Sequence, residues 1–361
     1  MSIRLATILM LVVLCLSAGL TLTSRTQANA GAQISDKDKK KDKSDKKNKD
    51  DKDKSNKEDD KDKSKNKEID DPNAGRAVLW EEPTDIDRRD LFYGPGGAEG
   101  APNPSSKYTF LRRSSGGTSE KIIVKGEDGR EWTVKFGAEA RPETTATRIV
   151  WAMGYHVDQS YYVKQTSVLG RGDFDIWDVR FELRDDYKEL TTWSWRANRF
   201  AGTRELNGLK TLMAFLNNWD IKDENNNIIR PNKESGQDRT LRIYYVSDLG
   251  GTLGATGNPL RKVPLLEDLP GGSKGSPNAY ANQVFIKGVE NGQVVFNYKG
   301  KNGEALKGVP VEHARWMGEQ LARLSDKQLQ DAFRAGNFTE QETGIYIRAM
   351  RDRMKQLQNL K

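Results

Sequence analysis

The chain has 361 residues, of which 31% are charged and 35% hydrophobic, and its formal net charge at pH 7 is +7. These averages combine two unlike regions. Residues 36–71 hold 15 Lys and 14 Asp or Glu residues, with Ile69 as the one sizeable apolar side chain. Such a segment cannot bury enough surface to offset its conformational entropy, so we expect it to be disordered. Because its charges nearly cancel, it is a polyampholyte rather than a basic arm, and no nucleic-acid partner is indicated.

The first 30 residues have the pattern of a secretory signal peptide. An apolar run over residues 5–20 follows Arg4, and Ala28 and Ala30 form a small-x-small cleavage site. The run is short for a bilayer span, so we expect cleavage after Ala30, export to the periplasm or the extracellular space, and no membrane span in the mature chain. An uncleaved N-terminal anchor is the alternative. Cys15, the only cysteine, lies in this run, which excludes thiol chemistry and Cys-ligated metal sites from the mature chain.

The predicted elements then follow in chain order. After the charged tail, placed at residues 31–71, comes a Gly- and Pro-rich linker at residues 72–106, expected to pack on the domain without regular elements. Strands, recognised by β-branched and aromatic residues between turn signals, are predicted at residues 107–113, 122–124, 132–136, 161–163, 177–181, 241–246 and 294–296. Helices, recognised by apolar residues three or four positions apart, are predicted at residues 143–153, 207–216, 311–324, 325–335 and 339–360.

This order predicts an α+β protein with two lobes. Strands dominate the first half of the ordered region and helices the second, so we expect a sheet-rich N-lobe at residues 107–206 and a helical C-lobe at residues 207–361. Asn207 is expected to cap the first helix of the C-lobe.

One loop combines residue types that suit phosphoryl transfer. Asp220, Lys222 and Asn225 follow a predicted helix at relative positions one, three and six, and Asp248 begins an Asp-Leu-Gly run directly after a strand. An Asp in such a loop can orient a hydroxyl nucleophile, a Lys can neutralise the transferred group, and Asn with a second Asp can hold a divalent cation. A calcium-binding turn is the alternative, but Ile221 and Lys222 interrupt its alternating oxygen ligands.

These residues resemble the protein-kinase catalytic loop, D-L-K-P-E-N followed by D-F-G, with Leu249 in place of Phe. The resemblance implies roles for upstream residues. Lys135, near the end of a hairpin strand, corresponds to the phosphate-binding Lys, and Glu143, at the start of a helix, to its ion-pair partner. Residues of the Gly-rich loop that covers the phosphates would be Ser115, Gly116 and Gly117.

The sequence also departs from the ordinary kinase pattern. Asn218 and Trp219 replace the His and Arg that precede the catalytic Asp, the Gly-rich loop lacks the G-x-G-x-x-G spacing, and no A-P-E element follows Gly254. These differences direct the resemblance toward atypical kinase-like folds, such as HipA-like, spore-coat CotH-like and secretory-pathway kinases.

The resemblance implies a two-lobed phosphotransferase that uses ATP or a related nucleotide with Mg²⁺ or Mn²⁺. Asp220 and Lys222 would act on the reacting groups, Asn225 and Asp248 would bind the metal, and the acceptor would be a hydroxyl-bearing protein or small molecule. Two other functions stay open. Trp219 and the export signal favour a nucleotide-binding pseudokinase, and the charged tail suits a non-catalytic interaction protein of the cell envelope.

Overall fold

The computed structural model describes residues 70–114, 120–170, 172–183, 187–233, 235–257 and 271–361. The predicted signal peptide, nearly all of the charged tail, and Ser115, Gly116 and Gly117 lie outside these ranges. The described chain is a mixed α+β structure, as the sequence predicted. None of its helices has the length and apolar character that crossing a membrane requires.

Twelve strands and seven α-helices are present in the described ranges. The strands are β1 (Arg76–Val78), β2 (Lys107–Ser114), β3 (Lys121–Lys125), β4 (Glu131–Lys135), β5 (His156–Val157), β6 (Ser160–Leu169), β7 (Phe174–Leu183), β8 (Tyr187–Thr192), β9 (Asn226–Pro231), β10 (Leu241–Val246), β11 (Ile286–Glu290) and β12 (Gln293–Phe296). The α-helices are α1 (Gly97–Gly100), α2 (Ala140–Ala152), α3 (Arg204–Phe215), α4 (Pro277–Asn282), α5 (Val311–Ala322), α6 (Asp326–Ala335) and α7 (Glu340–Gln358).

Five strands of the first half form a closed barrel in the order β2-β3-β4-β7-β6. Neighbouring strands are antiparallel except β2 and β6, which close the barrel in parallel. Alternate residues point inward, as the period of a strand requires. Trp132, Val134 and Phe181 are fully buried and form a core with the other strands. This core is separate from the larger one below it, which joins α2 to the C-terminal helices.

A second sheet connects the barrel to the helices. Strand β10 lies at its centre, with β9 antiparallel on one side and β1 and β5 parallel on the other. Strand β8 pairs with β9. The barrel therefore ends at Leu183, and residues 187–192, which the sequence analysis assigned to the N-lobe, belong to the second sheet.

The segment at residues 70–106 is more regular than predicted. Residues 76–78 form β1, because β10 has a free edge that accepts a parallel partner. Asp70 and Asp71, which the sequence analysis placed in the charged tail, belong to the described residues. Asp70 lies 2.6 Å from Lys188 Nζ and 2.7 Å from an Arg230 nitrogen, and these two cations fix its position.

The C-terminal helices agree closely with the sequence periodicity. Helices α6 and α7 each begin with a capping box, Ser325 with Gln328 and Thr339 with Glu342. Helix α3 begins three residues earlier than predicted, because the Thr203 hydroxyl accepts the Leu206 N–H and caps it. The expectation that Asn207 is the cap was wrong.

Candidate functional site

Lys135 and Glu143 meet where strand β4 gives way to helix α2. The strand ends at Lys135, Gly137 adopts a left-handed φ of 97°, and Glu143 lies in the first turn of the helix. Lys135 Nζ lies 3.2 Å from Glu143 Oε2, and the two side chains are 3% and 0% exposed. The structure thus brings together two residues that the sequence analysis placed in one site.

Two further carboxylates contact the same ammonium group. Lys135 Nζ lies 2.6 Å from Asp248 Oδ1 and 2.7 Å from Glu139 Oε2. Burial by itself lowers the pKa of Lys135, but the three carboxylates outweigh it and hold this pKa above its ordinary value. Burial likewise raises the pKa of Asp248, but Lys135 outweighs that effect, and the net shift is downward. Both groups are therefore charged at neutral pH.

The sequence analysis missed Glu139. It precedes Glu143 by one helical turn, so the two carboxylates lie on the same face of the chain as it enters α2. Glu139 also contacts Lys274, which lies far ahead in the sequence. The spacing of the two acids was a usable signal, whereas the contact with Lys274 depends on the fold.

Asp248 reaches Lys135 from the second sheet. It follows β10 directly, and its backbone is left-handed, with φ at 54°. Asp adopts this conformation more readily than most residues with a side chain, so it can turn the chain at the end of the strand.

A buried arginine lies beneath these groups. Arg180 of strand β7 is 3% exposed, and its guanidinium lies 3.2 Å from Glu143 Oε2 and 2.6 Å from Glu182 Oε2. Asp158 lies further away, at 3.9 Å, and burial raises its pKa well above the ordinary value. Arg180 alternates with the apolar residues Val179 and Phe181, as an exposed residue of a strand does, so no local pattern indicates its burial.

The loop after α3 is attached to the strand that leads to Asp248. Asn225 Nδ2 donates to the Asp220 carbonyl at 2.7 Å, and Ser247 donates its N–H and its hydroxyl to the Asn225 carbonyl at 3.0 and 2.9 Å. Arg353, buried in α7, donates to the side chain of Asn217 at the start of the loop. The loop is therefore held at both ends, and Asn225 is brought beside Asp248.

Asp220 lies on the same side of the molecule as Asp248. The Trp219 N–H donates to the Gly251 carbonyl at 2.9 Å, and a Cβ added to Gly251 would lie 3.2 Å from Asp220 Cβ. The Asp220 carboxylate contacts two cations: Lys301 Nζ at 2.9 Å and Lys222 Nζ at 3.4 Å. Lys301 was not predicted, since it belongs to a distant loop after β12.

A cleft of about 1030 Å³ lies between the barrel and the second sheet. Its lining includes most of the groups described above: Lys135, Glu143, Asp158, Arg180, Lys222, Asn225 and Asp248. Within the described part of the chain, Asp220 is not among the lining residues, but its carboxylate contacts Lys222, which is one of them. The three residues predicted to cover phosphates, Ser115, Gly116 and Gly117, fall outside the described ranges, between the ends of β2 and β3.

No protein-family model matches the chain, and no curated protein matches it. Among solved structures, the proinflammatory kinase CtkA of Helicobacter pylori aligns over 71% of this chain and 97% of its own, with 12% sequence identity and a TM-score of 0.41.

Proposed function

We propose that the protein is an exported kinase-like phosphotransferase that uses ATP or a related nucleotide with Mg²⁺ or Mn²⁺. The observation that carries the proposal is the contact of one buried ammonium group, Lys135 Nζ, with Glu143 on a helix and with Asp248 after a strand. The same cleft also contains Lys222 and Asn225. Phosphoryl transfer depends mainly on positioning and on charge stabilisation. The cations and the oxygen ligands of this cleft can supply both.

The donor set fits a divalent cation. Asp248 and Asn225 offer hard oxygen ligands in the cleft, which Mg²⁺ and Mn²⁺ prefer. Within the described residues, Glu143 Oε1 is also buried without a hydrogen-bond partner, so one further carboxylate oxygen at the site has an unused acceptor position. Asp248 and Asn225 would hold the metal, which when bound neutralises charge on the nucleotide phosphates.

The other residues have separate roles in the proposal. Lys135, held in place by Glu143, binds the nucleotide phosphates through its ammonium group. Lys222 neutralises the group being transferred. Asp220 accepts the proton of the attacking hydroxyl, which requires its carboxylate to exchange Lys301 or Lys222 for the acceptor.

The contacts of Asp220 also favour a second candidate, a nucleotide-binding pseudokinase. Two lysines occupy the Asp220 carboxylate, and Trp219 precedes it. If those ion pairs persist when nucleotide is bound, the two lysines compete with the hydroxyl for the carboxylate, and the protein binds nucleotide without transfer.

The test compares the wild type with Asp248→Ala and with Asp352→Ala, a matched control at an exposed position of α7. We expect ATP with Mn²⁺ to raise the thermal midpoint of the wild type and of Asp352→Ala but not of Asp248→Ala, and ATP consumption to follow the same order. A metal-dependent shift without consumption supports the pseudokinase. An equal shift in all three proteins, or no shift in any, contradicts both candidates.

A further inference from the structure

Three lysines from separate segments lie at Asp220 or at the adjacent Trp219. Lys222 lies on the loop after α3, Lys274 precedes α4, and Lys301 follows β12. Lys222 and Lys301 both contact the Asp220 carboxylate, and Lys274 contacts Glu139. We call Lys222, Lys274 and Lys301 the lysine cluster.

Trp219 contacts two members of this cluster, Lys274 and Lys301. Its ring centroid lies 5.6 Å from Lys274 Nζ and 5.4 Å from Lys301 Nζ. The indole face attracts cations, so it stabilises two ammonium groups near one another. Trp219 departs clearly from the kinase pattern, and its ring contacts account for the presence of Trp at this position.

The lysines of the cluster are more exposed to solvent than the carboxylates that they contact. Lys222, Lys274 and Lys301 are 37%, 31% and 39% exposed, whereas the carboxylates beneath them, Asp220 and Glu139, are only 16% and 15% exposed. The cations therefore face solvent and the acids face the protein. Asp223, the next acid on the loop, accepts hydrogen bonds from the Trp195 N–H and from Asn302.

We infer that the acceptor is an acidic polypeptide, in which the reacting hydroxyl is flanked by Asp or Glu residues. This inference rests on the proposed function, since it assigns the acceptor to the surface beside Asp220. Carboxylates of the acceptor would replace those of Asp220 and Glu139 as partners of the lysines, and this exchange would free Asp220 for the hydroxyl. An extended chain can present several carboxylates to cations held by separate segments, whereas a single small anion meets fewer of them.

The test uses the full chain and three synthetic serine peptides of equal length with acidic, neutral or basic flanking residues. Phosphate incorporation gives kcat/KM for each peptide, and fluorescence anisotropy of labelled peptides gives binding without turnover. The variants are the double substitution Lys274→Ala with Lys301→Ala, the matching double substitution to Arg, and Lys307→Ala, a control on the same surface loop that pairs only with Glu304 in the described structure.

We expect the wild type to prefer the acidic peptide. The double Ala variant should lower the ratio of kcat/KM for the acidic and neutral peptides about tenfold, since each exposed ion pair contributes modestly. In the double Arg variant this ratio should stay close to that of the wild type, and in Lys307→Ala it should be unchanged. If the lysines have a merely structural role, the double Ala variant will lower kcat/KM equally for both peptides. An unchanged ratio would overturn the inference.

The remaining outcomes separate the two proposals. Transfer to the neutral or basic peptide without a preference for the acidic one overturns the inference and leaves the phosphotransferase standing. Lysine-dependent binding of the acidic peptide without any transfer overturns the phosphotransferase. The lysine cluster then remains as a binding surface for acidic polypeptides. A chain that neither binds nor modifies any peptide overturns both.

Discussion

At the scale of single residues, burial of the charged groups of the site costs free energy. Lys135, Glu143 and Arg180 are almost fully buried, and removing ions from water costs several kcal/mol each before any pairing is gained. Apolar residues of similar size would stabilise the same space at lower cost. A buried ionic cluster at the wall of a large cleft is therefore better explained by a ligand than by stability.

Replacing Lys135 should affect both binding and folding. Lys135→Met leaves Glu143 buried with Arg180 as its remaining cation, and breaking a buried pair costs about 3–5 kcal/mol. We expect a loss of that size in the free energy of unfolding, measured by urea denaturation, together with loss of nucleotide binding. Lys121→Met on the neighbouring strand, in register with Lys135, should change the stability by less than about 0.5 kcal/mol. Equal stability of the two variants would show that the buried pair contributes nothing.

Glu139 should make part of the stability depend on pH. Burial raises the pKa of Glu139, but Lys135 and Lys274 outweigh it and lower this pKa to about 2, from an ordinary value of 4.5. Because the pKa is depressed in the folded state, the stabilisation is complete above pH 4.5 and is lost as the pH falls toward 2.

We therefore expect Glu139→Gln to be less stable than the wild type at pH 7, by up to about 3 kcal/mol. The difference should shrink as the pH is lowered through this window in urea denaturation series. Glu290→Gln on the exposed strand β11 provides the control. A gap between wild type and Glu139→Gln that stays constant with pH would mean that the two lysines do not hold the carboxylate charged.

At the scale of elements, the sequence predicts what depends on local pattern. Helices α5, α6 and α7 follow from apolar periodicity and from the caps at Ser325 and Thr339. Strand β1 could not be predicted, because residues 76–78 become a strand only when the edge of β10 is present. The same limit applies to the candidate site. Lys135, Glu143 and Asp248 were identified from their order along the chain, whereas Lys274 and Lys301 have no local pattern and reach the site only through the fold.

The cap of helix α7 should carry measurable stability. The Thr339 hydroxyl accepts the Glu342 N–H, and the Glu342 side chain accepts the Thr339 N–H at 2.8 Å and a bond from Arg141 of α2 at 2.7 Å. We expect Thr339→Ala to reduce the free energy of unfolding by about 1 kcal/mol. Chemical denaturation measures this, with Ser105→Ala in an exposed turn as the control. A loss no greater than that of Ser105→Ala would mean that the box does not stabilise the helix.

At the scale of the whole molecule, the segment at residues 70–106 joins the barrel to the helical part. Its strand β1 extends the second sheet, and the carbonyls of Ile86 and Arg89 accept hydrogen bonds from Gln328 of α6. At its other end the carbonyl of Gly97 accepts the Tyr161 hydroxyl of the barrel. Arg130, which lines the cleft, donates to three carbonyls of the segment at residues 99–101. This segment therefore packs against both the barrel and the C-terminal helices.

Removing the segment should prevent cooperative folding. Three apolar side chains of the segment belong to the core shared with α2 and the C-terminal helices. They are Leu79, Ile86 and Leu91, which are 2%, 0% and 1% exposed. Each such side chain contributes about 1.5–3 kcal/mol, so their joint loss approaches the whole stability of an ordinary domain, about 5–15 kcal/mol. We expect a chain of residues 70–361 to unfold with the same urea midpoint as the full chain, and a chain of residues 107–361 to show no cooperative transition by circular dichroism. A cooperative transition of the shorter chain at an unchanged midpoint would contradict this, because the barrel and the helices would then hold their arrangement without the segment that connects them.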